Sequence, residues 1–120
     1  MSRPLKLAVT ALCLAGAVAT AAARLVIPDS EAGNHVGEEV TVRGTVEDVY
    51  TSRKGNTFLN FGARYPDQTF SGVIFRENAS QFPDAEQWEG RRVMVHGRIQ
   101  LYRGKPEVIL RSPEQLGPSK

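Results

Sequence analysis

The stretch TFLNFGARYPDQTFSGVIF, residues 57–75, contains two short runs that alternate like β-strands around a polar connection. More than half of the chain's aromatic residues lie within it. In the first run Leu59 and Phe61 share one face, which places Phe58 and Asn60 on the opposite face. A proline in the connection excludes a central strand there. The stretch therefore predicts a β-hairpin whose aromatic residues divide between a core and an outer surface.

Strand patterns continue on both sides of this hairpin. Residues 39–52 alternate around Gly44, which predicts a long strand with a bulge or a sharp coil at the glycine and a change of apolar phase near its end. Residues 91–102 and 107–111 predict a fourth and a fifth strand, and residues 84–89 predict a short helix opened by a proline. The order β-β-β-α-β-β is that of an all-β OB-fold, a five-stranded Greek-key barrel with one short helix.

The N-terminal segment has the layout of a secretory signal peptide. Arg3 and Lys6 precede an uncharged apolar run, residues 7–23, that ends in small residues. We expect cleavage after Ala23 and export to the periplasm or the medium; the alternative is that the segment stays as a membrane anchor. The expected organisation is a signal peptide (1–23), an N-terminal arm with a short helical turn capped by Ser30 (24–38), the OB-fold domain (39–116) and a tail (117–120).

The charge balance limits the kind of ligand. The chain has 15 Lys and Arg against 13 Asp and Glu, and two of the cations lie in the expected signal peptide. The remainder is formally neutral, which argues against a strong, purely electrostatic nucleic-acid binder. The single cysteine, Cys13, also lies in the signal peptide, so the mature domain has neither a disulfide nor a thiolate metal site.

Other chemistry finds little support in the sequence. His35 and His96 lack the spacing of metal ligands, and they are expected to pack the arm and to lie on the surface, respectively. The carboxylates do not cluster in a way that would hold a catalytic metal. We therefore expect no metal, no cofactor and no enzymatic activity.

Four segments together resemble a known type of domain: VGEEVTVRGTV (36–46), TFLNFGARYPDQTFSGVIF (57–75), GRRVMVHGRI (90–99) and LYRGKPEVILRSPEQL (101–116). They are similar to the exported bacterial OB-fold domains of the nucleic-acid-binding, tRNA-anticodon-binding-like type. Such domains occur alone or beside secreted nucleases. The resemblance covers about residues 30–116 and implies a nucleic-acid-binding role on the same barrel.

OB-folds bind single strands on the face of strands two and three, between two flanking loops. Here those loops are the turns at 53–56 and 102–106, which supply cations for phosphates, while aromatic side chains supply stacking. The predicted function is weak binding of single-stranded DNA or RNA without sequence preference. The predicted binding residues are Arg53, Lys54, Phe58, Asn60, Tyr102, Arg103 and Lys105.

One alternative stays open at this stage. The domain is then an envelope module that binds a protein, such as a secreted nuclease, or a small ligand, and has no nucleic-acid role. It would be favoured if Glu47 and Glu107 cancelled the positive charge of the groove between the two turns.

Overall fold

The structure, a computed structural model, describes residues 24–119. The predicted signal peptide lies outside the described residues. Within the described range, no helix is both long enough and apolar enough to cross a membrane. The strands in this range are β1 (Val26–Pro28), β2 (Glu39–Thr51), β3 (Thr57–Phe61), β4 (Phe70–Ile74), β5 (Arg92–Arg98), β6 (Gln100–Tyr102), β7 (Lys105–Ile109) and β8 (Leu116–Pro118). The helices in this range are short 3-10 segments at Asp29–Asn34, Arg76–Gln81, Ala85–Trp88 and Pro113–Gln115.

The strands form one mixed sheet in the order β6-β7-β4-β3-β2-β5-β8, and β1 pairs with β2 outside this path. The β4–β7 and β1–β2 pairs are parallel, and the other pairs are antiparallel. The long strand β2 pairs with β5 through its first half and with β3 through its second half. One strand thus joins both halves of the sheet, and the result is an OB-like all-β fold, as predicted.

The prediction of a five-stranded barrel needs correction. The sheet is not closed by hydrogen bonds, because its path ends at β6 and β8. The predicted fourth strand divides at Ile99: β5 pairs with β2, whereas β6 pairs with β7. Ile99 itself exchanges backbone hydrogen bonds with Gly37 and Glu38, just before β2 begins. Two further short strands, β1 and β8, lie where the sequence predicted an extended arm and a polar segment.

β2 has its irregularity at Glu47 and not at Gly44, where the sequence predicted a bulge. An extra residue in one strand changes the face to which the following side chains point. Asp48 and Tyr50 therefore face outward opposite β3, and Val49 packs against the core. The predicted change of apolar phase near Val49 is confirmed, and the bulge at Glu47 is its cause.

Gly44 is needed for a different reason, the close approach of the N-terminal arm. A β-carbon at Gly44 would lie 2.5 Å from Oδ1 of Asp29 and 3.0 Å from the Phe61 ring. Asp29 is held there by a hydrogen bond from the Thr69 hydroxyl, at 2.5 Å. The glycine thus leaves room for the arm to cross β2.

The core lies inside the curled sheet and contains the side chains that the alternation placed inward. Phe61 and Phe70 are fully buried and meet edge to face, with ring centroids 5.2 Å apart. Burying an aliphatic or aromatic side chain of this size contributes about 1.5–3 kcal/mol. Alternation also places Leu101 inward with Val93, Val95 and Ile99, but Leu101 is 52% exposed, because the chain changes its pairing partner at Ile99. The other inward residues of the alternating strands that are buried in the core are Val40, Val42, Val46, Leu59, Ile74, Val93, Val95 and Ile99.

The predicted helix at residues 84–89 is a single 3-10 segment. Its bonds run from Gln87 N to Asp84 O and from Glu89 N to Glu86 O, which is the three-residue spacing of a 3-10 helix. Trp88 packs against the core from this segment. In the N-terminal arm, the predicted cap residue Ser30 lies inside the 3-10 segment and makes no capping hydrogen bond.

Candidate nucleic-acid interface

The outer face of β2, β3, β4, β7 and β6 carries a row of polar side chains. Residues that are direct partners on neighbouring strands point to the same face of a sheet. The pairs Asp48–Asn60, Asn60–Ser71, Ser71–Glu107 and Glu107–Gln100 therefore place five polar side chains side by side. We call Asp48, Asn60, Ser71, Glu107 and Gln100 the polar row.

Hydrogen bonds connect the members of the polar row. Asn60 Nδ2 donates to Asp48 at 3.2 Å, and the Ser71 hydroxyl donates to Asn60 Oδ1 at 2.8 Å. At the other end Gln100 Nε2 donates to Oε2 of Glu107 at 2.8 Å. Both carboxylates thus have a donor, and the Asn60 amide is fixed by a contact on each side.

An apolar row runs parallel to the polar row. The pairs Tyr50–Phe58, Phe58–Val73 and Val73–Ile109 define it. The rings of Tyr50 and Phe58 stack with centroids 6.3 Å apart and an angle of 24° between their planes. The predicted outward orientation of Phe58 is confirmed.

Part of each row forms the floor of a groove of about 440 Å³: Asn60, Ser71 and Glu107 of the polar row, and Tyr50 and Phe58 of the apolar row. This volume lies within the range of sites that bind small molecules, about 300–1,000 Å³. All three tyrosines of the chain line the groove, and Tyr50, Tyr65 and Tyr102 are 55%, 69% and 55% exposed. The complete lining is Tyr50, Phe58, Asn60, Tyr65, Pro66, Gln68, Ser71, Tyr102, Arg103, Lys105, Pro106 and Glu107.

Two cations stand at the rim of the groove, on the tight turn between β6 and β7. Arg103 and Gly104 both have positive φ, +51° and +78°, as a two-residue type I′ turn requires. The Arg103 guanidinium lies 5.2 Å from the Tyr102 ring centroid, a cation–π contact. Lys105 Nζ donates to the backbone oxygen of Gln68 at 3.3 Å. The turn thus presents positive charge next to an exposed ring.

Glu107 is the carboxylate among the residues that line the groove. The residue is only 8% exposed. Burial raises the pKa of Glu107 above its usual range, and the hydrogen bond from Gln100 opposes part of this increase. Gln68 also lines the groove, is 6% exposed, and its Oε1 has no hydrogen-bond partner within residues 24–119.

The structure brings five of the seven predicted binding residues together in this groove: Phe58, Asn60, Tyr102, Arg103 and Lys105. Arg53 and Lys54 are exposed in the turn between β2 and β3 and do not belong to the lining. The turn follows the last two pairs between β2 and β3, which are Tyr50–Phe58 and Thr51–Thr57. It therefore lies beyond one end of the apolar row.

Sequence reasoning missed most of the remaining lining residues. Tyr50 faces the groove because of the bulge, which residue types alone do not locate. Tyr65 and Gln68 come from the β3–β4 connection, whose course alternation does not predict. The sequence had pointed to Glu107 as a charge that could cancel the positive groove. Its outward orientation also had a signal, because its strand alternates between Glu107 and inward apolar side chains such as Val108.

The charge question raised by the sequence is answered in part. Glu107 lies in the groove with Arg103 and Lys105, so the positive charge at this end is partly compensated. Glu47 lines a separate depression and not the groove. Asp48 lies 3.5 Å from the Arg64 guanidinium, which is 80% exposed.

The two histidines take local roles. His35 Nδ1 lies 2.8 Å from Glu38 Oε1, which fixes the end of the arm. His96 is partly buried and contacts Thr41 at 3.4 Å and Glu39 at 3.8 Å. Within the described part of the chain, no three His, Cys, Asp or Glu side chains are grouped so that they could hold a metal ion.

Comparison of the sequence with known protein families gives no match, and comparison with curated proteins gives none either. Solved structures show a likeness at low identity. An aspartyl-tRNA synthetase from Leishmania major Friedlin superposes with a TM-score of 0.55 and 14% identity, over 81% of this chain and 21% of that chain. A chain of the S. pombe Stn1-Ten1 complex superposes with a TM-score of 0.51 and 17% identity, over 68% of this chain and 58% of that chain.

At these identities the likeness shows the fold alone. This chain spans about a fifth of the length of the first of these proteins and just over half of the second. The OB-like class is therefore supported by both topology and superposition, and the groove must be interpreted from its own residues.

Proposed function

We propose that this protein binds single-stranded nucleic acid in the groove, weakly and with tolerance for most sequences, and that it does so without catalysis. The observation that carries the proposal is the clustering of four aromatic side chains and two cations in one groove: Tyr50, Phe58, Tyr65, Tyr102, Arg103 and Lys105. Single strands are bound by this combination of stacking surfaces and positive charge.

The aromatic residues support a flat ligand. A tyrosine that is more than half exposed leaves most of its ring free, and each stacked base contributes about 1–3 kcal/mol. Stacking tolerates all bases because every base has a π-face. The strand would therefore follow the floor with its bases against the rings.

The cations support a polyanionic ligand and limit its affinity. Arg103 and Lys105 stand at one end of the groove, and Arg53 and Lys54 stand in the turn beyond the other end. Few phosphate contacts give a low affinity that depends on salt. For single strands, the logarithm of the binding constant falls with the logarithm of the salt concentration, with a slope of about −0.7 per neutralised phosphate.

The test is a fluorescence anisotropy titration of a labelled oligothymidylate with the purified protein, at low and at physiological salt. We expect micromolar binding that weakens as salt rises. A gel of the same labelled strand, incubated with Mg²⁺, should show that it stays intact. Absence of binding at low salt would contradict the proposal, and shortened strands would contradict its non-catalytic part.

The alternative is an envelope module for a protein or a small ligand. The observation that favours it is Glu107, a carboxylate in the floor of a groove that a polyanion would occupy. Failure to bind any oligonucleotide would direct the search to envelope proteins, with the same groove as the site.

We also propose that the domain acts outside the cytoplasm, on the basis of the signal-peptide layout of residues 1–23. Fractionation of cells that produce the epitope-tagged protein tests this. We expect the mature form, shortened at its N-terminus, in the periplasm or the medium. A full-length form in the cytoplasm would contradict it.

A further inference from the structure

Two acceptor groups in the groove have unused capacity. Glu107 accepts from Gln100 through Oε2, and no hydrogen bond from residues 24–119 reaches its Oε1. Oε1 of Gln68 is buried and also lacks a partner within that range. Both side chains belong to the lining. Gln68 Oε1 is a buried acceptor without a donor, which is unfavourable, and the Glu107 carboxylate beside it keeps one oxygen that no group in residues 24–119 bonds. The groove therefore favours a ligand that brings N–H groups to this point.

The bases differ in the donors that they present. Guanine has two adjacent donors on its Watson–Crick edge, the ring N1–H and the 2-amino group. Adenine and cytosine have one amino group beside a ring nitrogen that accepts, and thymine has one N–H between two carbonyls. An ionised carboxylate only accepts hydrogen bonds, so it matches the guanine edge and opposes the acceptors of the other bases.

The residues around Glu107 are suited to recognising a nucleic-acid base. Single-stranded bases are recognised by stacking on aromatic rings together with hydrogen bonds to their edges. Tyr102 and Phe58 provide rings beside the polar row, and the hydrogen bond from Gln100 fixes the Glu107 carboxylate. An acceptor in a fixed orientation discriminates between bases better than a mobile one.

We propose that the groove selects guanine at one position of the bound strand. The N1–H and the 2-amino group donate to Glu107, and the second hydrogen of the amino group is directed to Gln68. This inference rests on the proposed function and adds one position of base preference to a binding mode that otherwise tolerates most sequences.

The experiment uses labelled oligothymidylate strands with a single central substitution: guanine, hypoxanthine, adenine or none. Hypoxanthine keeps N1–H and lacks the 2-amino group, so it tests the contact from the ligand side without altering the protein. Each strand is titrated against the wild-type protein, the Glu107→Gln variant and the matched control Glu86→Gln. Glu86 is exposed and lies outside the groove.

For the wild type and for Glu86→Gln we expect the guanine strand to bind about tenfold more tightly than the adenine and all-thymine strands, the discrimination typical of a bidentate contact. The hypoxanthine strand should lie between them. Glu107→Gln should bind the all-thymine strand at least as tightly as the wild type does, because it removes a negative charge from the groove, and should lose the preference for guanine. Unchanged circular dichroism of the variant shows that it is folded.

Equal binding of all four strands would overturn this inference and leave the proposed function intact. A guanine preference that persists in Glu107→Gln would overturn the assignment to Glu107. If no strand binds, both the proposed function and this inference are wrong.

Discussion

Tyr102 is the side chain on which the stacking argument can be tested most simply. It is 55% exposed in the groove, next to Arg103. Replacing Tyr102 with Ala should weaken the binding of single strands by about 1–3 kcal/mol, because one stacking surface is lost. Anisotropy titrations measure the change.

The matched control is the neighbouring residue Leu101, which is 52% exposed and is not part of the groove lining. Leu101→Ala removes a similar exposed side chain outside the groove lining and should leave the affinity unchanged. Equal effects of the two substitutions would contradict the assignment of the groove face.

Glu107 gives a prediction about pH. Its folded-state pKa is raised by burial above the ordinary value of 4.5, so the folded protein binds its proton more strongly than the unfolded chain does. The stabilisation from this protonated group is complete below the unfolded pKa and is lost as pH rises through the folded pKa. Between these pH values the wild type should lose stability relative to Glu107→Gln.

Urea unfolding of both proteins at a series of pH values measures this difference. Glu86→Gln is the control, because Glu86 is exposed, and its pH profile should follow the wild type. A Glu107→Gln profile parallel to the wild type over this range would show that burial does not govern the titration of Glu107.

Residue-scale prediction from sequence succeeded where simple alternation decides the outcome. Leu59 and Phe61 were placed inside and Phe58 and Asn60 outside, and all four are so placed. It missed Tyr50 and Gln68, because their positions depend on a bulge and on the course of a loop. The change of apolar phase in β2 pointed to an irregularity without locating it, and the course of the loop has no signature in residue type alone.

Gly97 shows how a strand is shaped by its neighbour. A β-carbon at this position would lie 2.5 Å from Cγ1 of Val108, a fully buried core residue on β7. Gly97→Ala should therefore destabilise the fold by about 1–3 kcal/mol, the usual cost of overpacking a core. Chemical denaturation measures the change in the free energy of unfolding.

The control for Gly97 is Gly33, where a β-carbon added to the glycine would have no heavy atom within 4 Å. Gly33→Ala should change stability by less than about 0.5 kcal/mol. If Gly97→Ala were equally harmless, the close packing of β5 against β7 would be wrong.

The turn between β6 and β7 combines a structural role with the proposed binding role, and one substitution separates them. Asparagine is favoured in type I′ turns, so Arg103→Asn should keep or raise stability. It removes one cation and should weaken oligonucleotide binding while reducing the salt slope by up to about 0.7. Titrations at several salt concentrations give the slope. A lower melting temperature of Arg103→Asn would contradict the expected stability, and unchanged oligonucleotide binding would contradict the expected binding role.

At the scale of elements, the sequence predicted the long strand and the hairpins but not how they meet. The division at Ile99 arises because the chain changes its pairing partner from β2 to β7. Such long-range pairing has no local pattern. The predicted helix is observed as a short 3-10 segment. Asp84 and Gly90, with φ of +55° and +83°, lie outside the helical region and limit it on both sides, so only a few residues remain between them.

At the scale of the whole molecule, net charge was a poor guide to the charges that line the groove. The sum of charges outside residues 1–23 is close to zero, yet Arg103 and Lys105 stand together at one end of the groove, with Glu107 on the floor below. Composition predicts a neutral domain, whereas the sheet register determines which charges share a face. The OB-like class could be predicted from strand order, but the polar row required the register.

The central claim is that the groove above the polar and apolar rows is the interface for single strands. The most direct measurement is the change in backbone amide NMR signals of the protein on addition of oligothymidylate. We predict changes concentrated on β3, β4 and the turn at Arg103 and Gly104, with little change on β1 and β8. Changes confined to β1 and β8, or no changes at all, would contradict the account.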